Sequence, residues 1–373
     1  MTTQTAPQIT AAEDPVRTLA FTSYLRVVAI VAVVLIHVSG STYVLKGARG
    51  SSAWWVASVL TFSTKWAVPV FVMVSGTLLL KPPANRSASL FYRRRLSRIG
   101  IPLLVWHAVY VSLVMFVIAP DLKRGIVMAN LLRGEAYTAL YFFWLILGLY
   151  VVTPLLWPLV ESASRRQLIV IGAGLTALPA LDLVTRNVIG RLRDNPMPLG
   201  EPTLFTQFVP YVGFFILGYA LRSVIVRGWA LAALGVGVLL LAAEITAQVT
   251  LLGRLPKPWP LHVNTFIPVN YQGWLLGLCA IGLFIWVRSA TRPGTRAATP
   301  ETARRARALG DLTFGVFACH LLVLFLLKRL VGMETGEAPD TVLGVLGLNA
   351  AVVVVSFIVA KVFLSLPVLR RTM

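Results

Sequence analysis

The chain has 373 residues, of which 57% are hydrophobic and only 13% charged, with a formal net charge of +20. A soluble domain carries about a quarter charged residues, so this composition excludes a water-soluble fold and calls for a polytopic membrane protein. The excess of positive charge does not point to nucleic acid, because the basic residues cluster between apolar runs, where they orient membrane helices.

Residues 1–19 are polar and mixed, which reads as a cytoplasmic amino-terminal tail without a cleavable signal peptide. Ten apolar runs follow, near 21–43, 54–80, 99–119, 138–158, 167–185, 205–222, 229–251, 268–287, 310–330 and 342–366. About 20 apolar residues cross a bilayer as a helix. Residues 20–368 therefore read as one all-α domain of about ten transmembrane helices, with a basic cytoplasmic linker at 288–309, open to a short basic helix at its end, and a tail at 369–373. Pro69, Pro154 and Pro210 fall inside runs, where neighbouring helices satisfy the freed backbone groups. Trp54, Trp55, Trp144, Trp157, Trp229 and Trp274 lie near run ends or one or two turns in, and most fit an interfacial belt.

With the amino terminus inside, the inner segments collect Arg93, Arg94, Arg95, Arg98, Arg165, Arg166, Arg222, Arg227 and the arginines of 288–307. The outer segments hold fewer, such as Lys46, Arg49, Arg191 and Arg193. The positive-inside rule then places both termini in the cytoplasm. Cys279 and Cys319 both fall in apolar runs, so no disulfide framework is expected.

The first run, "RVVAIVAVVLIHV", carries Arg26 and His37 eleven residues apart. That is close to three helical turns, so the two side chains share a face about 16 Å apart along the axis. Arg26 reads either as a snorkelling anchor near the cytoplasmic surface or as a functional cation. His37, deeper in the run, reads either as an interhelical hydrogen-bonding group or as a general base, since neutral imidazole takes and returns a proton.

In "FYRRRLSRIGIPLL", Arg95 and Arg98 are three residues apart and neighbours on one helix face. Arginine forks suit phosphate oxygens, although a charge cluster that stops membrane insertion has the same look. Ser75 and Gly76, in "VPVFVMVSGTLLLK", read first as packing residues. His320, in "GDLTFGVFACHLL", is a partner for His37 or a packing residue. On the outer side Glu244 lies well inside the seventh run, and His262, Asn264, Asn270 and Gln272 follow, a polar set suited to a sugar or to an ordinary hydrated loop.

Taken together, Arg26-x10-His37, "VPVFVMVSGTLLL", "FYRRRLSR", "FFWLILGLYVVTPLL" and "LTFGVFACHLL" resemble the membrane-bound acyltransferase-3 family over most of the chain. The resemblance implies a ten-span bacterial inner-membrane enzyme that takes an acyl group, by default acetyl, from cytoplasmic acyl-CoA. The implied acceptor is a hydroxyl of a lipid-linked glycan, polysaccharide or related envelope molecule. Carried over by position, His37 is the catalytic base, and Arg26, Arg95 and Arg98 hold the donor's phosphates or order the site. Ser75, Gly76 and His320 become site or supporting residues, and Glu244 a residue of the acceptor side. No metal is implied. Ser23 and Tyr24 stand where many relatives have aspartate and glycine, and Phe142 where nearer relatives have a histidine. No fused extracytoplasmic domain is evident. The competing function class is a secondary transporter or exporter of a glycan precursor, using Glu244 and the histidines for proton coupling. The chain shows none of the internal symmetry common in transporters. A non-catalytic membrane partner of an envelope complex is a weaker third reading.

Overall fold

The computed structural model describes residues 20–83, 87–135, 137–193, 202–251 and 268–372. Twelve helices account for most of them: α1 (Ala20–Val44), α2 (Ser52–Phe62), α3 (Ala67–Leu79), α4 (Ala88–Leu113), α5 (Arg124–Leu132), α6 (Tyr141–Ser162), α7 (Arg165–Leu192), α8 (Val212–Leu221), α9 (Trp229–Thr250), α10 (Trp274–Ala290), α11 (Pro300–Leu330) and α12 (Val342–Ser365). No strand occurs among the described residues.

Eight helical stretches are long and apolar enough to cross a membrane, with α2 and α3 together forming one of them. Two shorter apolar helices, Val209–Leu221 and Trp274–Ala290, occupy the positions of the remaining two expected spans. Packed pairs run in the directions that alternating traversals require. Arg26 meets Asp311 and His37 meets His320, so α1 and α11 are parallel. Phe91 packs on Trp157 while His107 packs on Trp144, so α4 and α6 are antiparallel.

One connection departs from the sequence reading. The expected linker 288–309 shrinks to 291–299, because Arg288–Ala290 end α10 and the basic residues from Pro300 onward already belong to α11. The cause is a strong start signal: Thr299 accepts from the Thr302 N–H, Pro300 follows, and Glu301 sits in the first turn.

The second span is broken at its middle. Pro69 has no N–H to continue a helical ladder through 65. The Ser63 and Thr64 hydroxyls donate to the carbonyls of Val59 and Leu60, at 2.6 Å in each case, and close the end of α2 on itself. The turn Ser63–Trp66 between α2 and α3 therefore projects Lys65 from within an apolar run.

α1 lies at the centre, against α2, α3, α10, α11 and α12. α8 is apolar on all sides and packs between α3 and α7. Its contact with α3 is a reciprocal close approach. A Cβ on Gly76 would lie 1.8 Å from the Phe215 carbonyl oxygen, and one on Gly218 would lie 1.9 Å from that of Met73. Thr77 adds a hydrogen bond to the Gly218 carbonyl at 2.8 Å. Small residues that let backbones touch are the usual means of helix association where lipid removes the hydrophobic drive.

Candidate functional site

The bundle has two chemically distinct ends. Arg26, Arg95, Arg98 and Asp311 lie toward one end, on the early turns of α1, α4 and α11. The later turns of α1 and α11, the break before α3 and the start of α6 lie toward the other, and there they enclose a cavity of about 1110 Å³.

His37 lines this cavity. Its ring nitrogens make no hydrogen bond to a described residue, which leaves both available to a molecule in the cavity. His320 stands behind it, fully buried, with ring centroids 5.4 Å apart. The His320 Nδ1 lies 2.7 Å from the Phe317 carbonyl oxygen. A carbonyl only accepts, so Nδ1 carries the hydrogen and Nε2 presents its lone pair. That Nε2 is buried without a partner.

The helix around His320 is locally opened. The Tyr110 hydroxyl donates to the Ala318 carbonyl at 2.8 Å and accepts from the Leu322 N–H at 3.1 Å. It is thereby spliced into the α11 ladder at the step that would otherwise join 322 to 318. Tyr110 is held in turn by stacking on Tyr137, at 4.9 Å between centroids.

The rest of the cavity wall is largely apolar, aliphatic and aromatic, with a polar portion. Tyr141, Tyr211, Tyr271, Asn270, Gln272 and Gln207 contribute to it. Burial raises the phenol of Tyr137, so it stays a neutral hydrogen-bond donor near neutral pH. Asn270 and Gln272 are residues that the sequence marks as a polar set. His262 and Asn264 of the same set lie outside the described residues.

At the basic end, Arg26 pairs with Asp311 at 3.5 Å and donates to Ser23 Oγ at 3.3 Å. Its Nε is buried without a partner. Arg98 and Arg307 both lie within electrostatic reach of it. The Arg95 guanidinium sits over Phe91 and Tyr150, at 5.6 and 5.9 Å from their ring centroids. Arg98 is exposed. Arg98 and Arg307 thus lie near the Arg26–Asp311 pair, with Arg95 one turn from Arg98 on α4, a partly exposed basic group suited to phosphate oxygens.

The structure therefore joins His37 with His320, and Arg26 with Arg98 of α4 and Arg307 of α11, but separates the two groups along the helix axis. Ser75 and Gly76 serve packing: the Ser75 hydroxyl donates to the Phe71 carbonyl of its own helix at 2.9 Å, and Gly76 makes the contact with α8. Glu244 is exposed on α9 and accepts from Gln248 Nε2 at 3.0 Å, and it does not line the cavity. Phe142 lines the cavity and packs against Phe71 and Phe317.

Residues that sequence reasoning missed include Arg307, Asp311, Tyr110 and Lys65. Lys65 carried the needed signal, since an ionisable side chain within an apolar run marks a functional position. The other three acquire their roles only through contacts between distant helices.

No curated protein and no solved structure matches the chain. The model of a family described as an acyltransferase domain matches residues 19–361, nearly the whole sequence. With its helical membrane architecture, the chain belongs to the acyltransferase-3 family.

Proposed function

We propose that this protein is a membrane O-acyltransferase of the bacterial inner membrane. In this reading an acyl-CoA, by default acetyl-CoA, docks at the arginine end, and the acceptor is a hydroxyl of a lipid-linked glycan, polysaccharide or related envelope molecule held in the cavity. The observation that carries the reading is the position of His37: it lines a cavity of mixed apolar, aromatic and polar wall at one end of a helix whose other end bears Arg26.

Arg26, Arg95, Arg98 and Arg307 would hold the donor's phosphates at the cytoplasmic face. About 16 Å of helix separates Arg26 from His37, a gap suited to the extended pantetheine arm that delivers the thioester. His37 takes the proton of the acceptor hydroxyl as its oxygen attacks the thioester carbonyl. The new C–O bond forms, the C–S bond breaks, and the proton returns from the imidazolium to the departing thiolate. The products are an ester and free coenzyme A. Tyrosine hydroxyls and amides of the wall orient the acceptor, and His320 holds the His37 ring in place.

The test uses inverted membrane vesicles supplied with acetyl-CoA labelled on the acetyl group, with wild type and His37→Ala at matched expression. A positioned general base contributes about 10²–10⁴-fold, so alkali-labile label in lipid and glycan fractions should fall by that factor in the variant. Equal labelling would remove His37 from the reaction.

A further inference from the structure

Lys65 is the one lysine or arginine among the described residues that line the cavity. It projects from the break between α2 and α3, and its Nζ lies over two aromatic rings, 4.7 Å from the centroid of Phe62 and 5.8 Å from that of Tyr271. Among the described residues no carboxylate comes within ion-pair distance of it. Glu135 is the one carboxylate among the described lining residues, and it is engaged by Arg133 at 3.8 Å.

A lysine drawn out of bulk water, with no described carboxylate as its counter-charge, takes compensation from what enters its cavity. Aromatic faces compensate only in part, and they also orient the ammonium toward the open space between them. The surroundings of that space specify more than a bare ion. The wall as a whole is largely apolar, but around Lys65 it turns polar: Tyr271 lies beside the ammonium, Asn270 and Gln272 flank Tyr271 in sequence, and Tyr211 and Gln207 also line the cavity. These neutral donors and acceptors can take ring hydroxyls while the aromatic and aliphatic remainder packs on the ring faces.

We propose that the cavity takes an acceptor sugar that carries an anionic group, a carboxylate or a phosphate, and that Lys65 binds that group. The proposal rests on reading the cavity as the acceptor site. The anion fixed at Lys65 sets which hydroxyl of the ring faces His37, so Lys65 determines both the choice of acceptor and the position acylated. A neutral sugar would leave the ammonium uncompensated and bind more weakly.

The test separates binding from turnover. The purified full chain in lipid nanodiscs is titrated at millimolar concentration with D-glucose, D-glucuronate, α-D-glucose 1-phosphate or inorganic phosphate, and its thermal unfolding midpoint is recorded. Glucuronate, glucose 1-phosphate or both should raise the midpoint, while glucose and inorganic phosphate should not. The shift should vanish in Lys65→Met and persist in Lys65→Arg, with the unliganded midpoint of each variant reporting that it is folded. Which charged sugar acts distinguishes carboxylate from phosphate. Equal shifts for glucose and the charged sugars, an equal shift with inorganic phosphate alone, no shift with any charged sugar, or a shift that survives in Lys65→Met would each overturn the proposal. This readout needs no catalysis, so a failure of acyl transfer from labelled acetyl-CoA would sink the enzymatic reading and leave the anion site to be judged separately.

Discussion

The imidazoles of His37 on α1 and His320 on α11 face one another with centroids 5.4 Å apart and planes inclined by 43°. Only His37 borders the cavity, whereas His320 is sealed behind it and tied by Nδ1 to the Phe317 carbonyl. A buried histidine with a fixed tautomer and an unpartnered acceptor nitrogen is suited to orienting its neighbour. His320→Leu should therefore lower kcat by on the order of tenfold, about 1.4 kcal/mol of lost alignment, with the KM for acyl-CoA unchanged. His320→Gln, which restores a polar acceptor, should recover part of the rate. Loss of folded protein in both variants, or a rise in donor KM with kcat intact, would contradict a positioning role.

Tyr110 offers a sharper test of the same alignment. Its hydroxyl occupies the α11 ladder between Ala318 and Leu322, the two residues that bracket His320 in sequence. Tyr110→Phe removes the inserted group and leaves a carbonyl and an N–H four residues apart, able to bond directly. The net loss of hydrogen bonding is small, and α11 should tighten at that turn. The expected result is a variant of near wild-type thermal stability with reduced kcat. Wild-type turnover in Tyr110→Phe would show that the local opening of α11 has no part in the chemistry.

The membrane class, the order of the apolar runs and the placing of Arg26 and His37 on one helix were legible in the sequence because they depend on composition and on spacing along single helices. The break before α3 was half-legible: Pro69 was visible, but the hydroxyl bonds of Ser63 and Thr64 that complete it required a structure. The start of α11 at Pro300 was written in Thr299-Pro300-Glu301, yet the density of arginine that follows resembled a linker. Asp311 as the partner of Arg26, and Tyr110 as a strand in the ladder of α11, were beyond reach, since both contacts join helices hundreds of residues apart. Glu244 shows another limit of the sequence: an acidic residue in an apolar run draws attention, but only the structure shows that it is exposed on α9 and bonded to Gln248, outside the cavity lining.

The arginine end should respond to substitution in a different way from the histidine end. Arg95 and Arg98 stand on adjacent turns of α4, one over the Tyr150 ring and the other exposed. If they bind the donor's phosphates before and during transfer alike, the interaction is uniform binding. Arg95→Gln and Arg98→Gln should each raise the KM for acetyl-CoA by about tenfold, near 1.4 kcal/mol for one charge-assisted contact, with kcat preserved. The wild-type KM should also rise with ionic strength, because exposed charges are screened over about 10 Å at 0.1 M salt. Salt-independent binding, or a fall in kcat alone, would place the donor elsewhere.

The contact between α3 and α8 carries a prediction about stability. Backbone atoms occupy the space a side chain at Gly76 would need, with the Phe215 carbonyl oxygen 1.8 Å from an ideal Cβ. Carbonyl oxygens cannot swing aside as side-chain ends do, so Gly76→Ala must push α8 away from α3 and strain the Thr77 bond to Gly218. Overpacking of this kind costs about 1–3 kcal/mol. Gly237, on α9, has nothing within 4 Å of its ideal Cβ, which makes Gly237→Ala the matched control. Thermal unfolding followed by size-exclusion chromatography should show a clear loss of monodisperse protein at lower temperature for Gly76→Ala and none for Gly237→Ala. Because α3 begins at the break that presents Lys65, the same substitution should also disturb the cavity from a distance. Unchanged stability in Gly76→Ala would mean that the two helices are held apart in the membrane and that this close approach does not fix the position of α3.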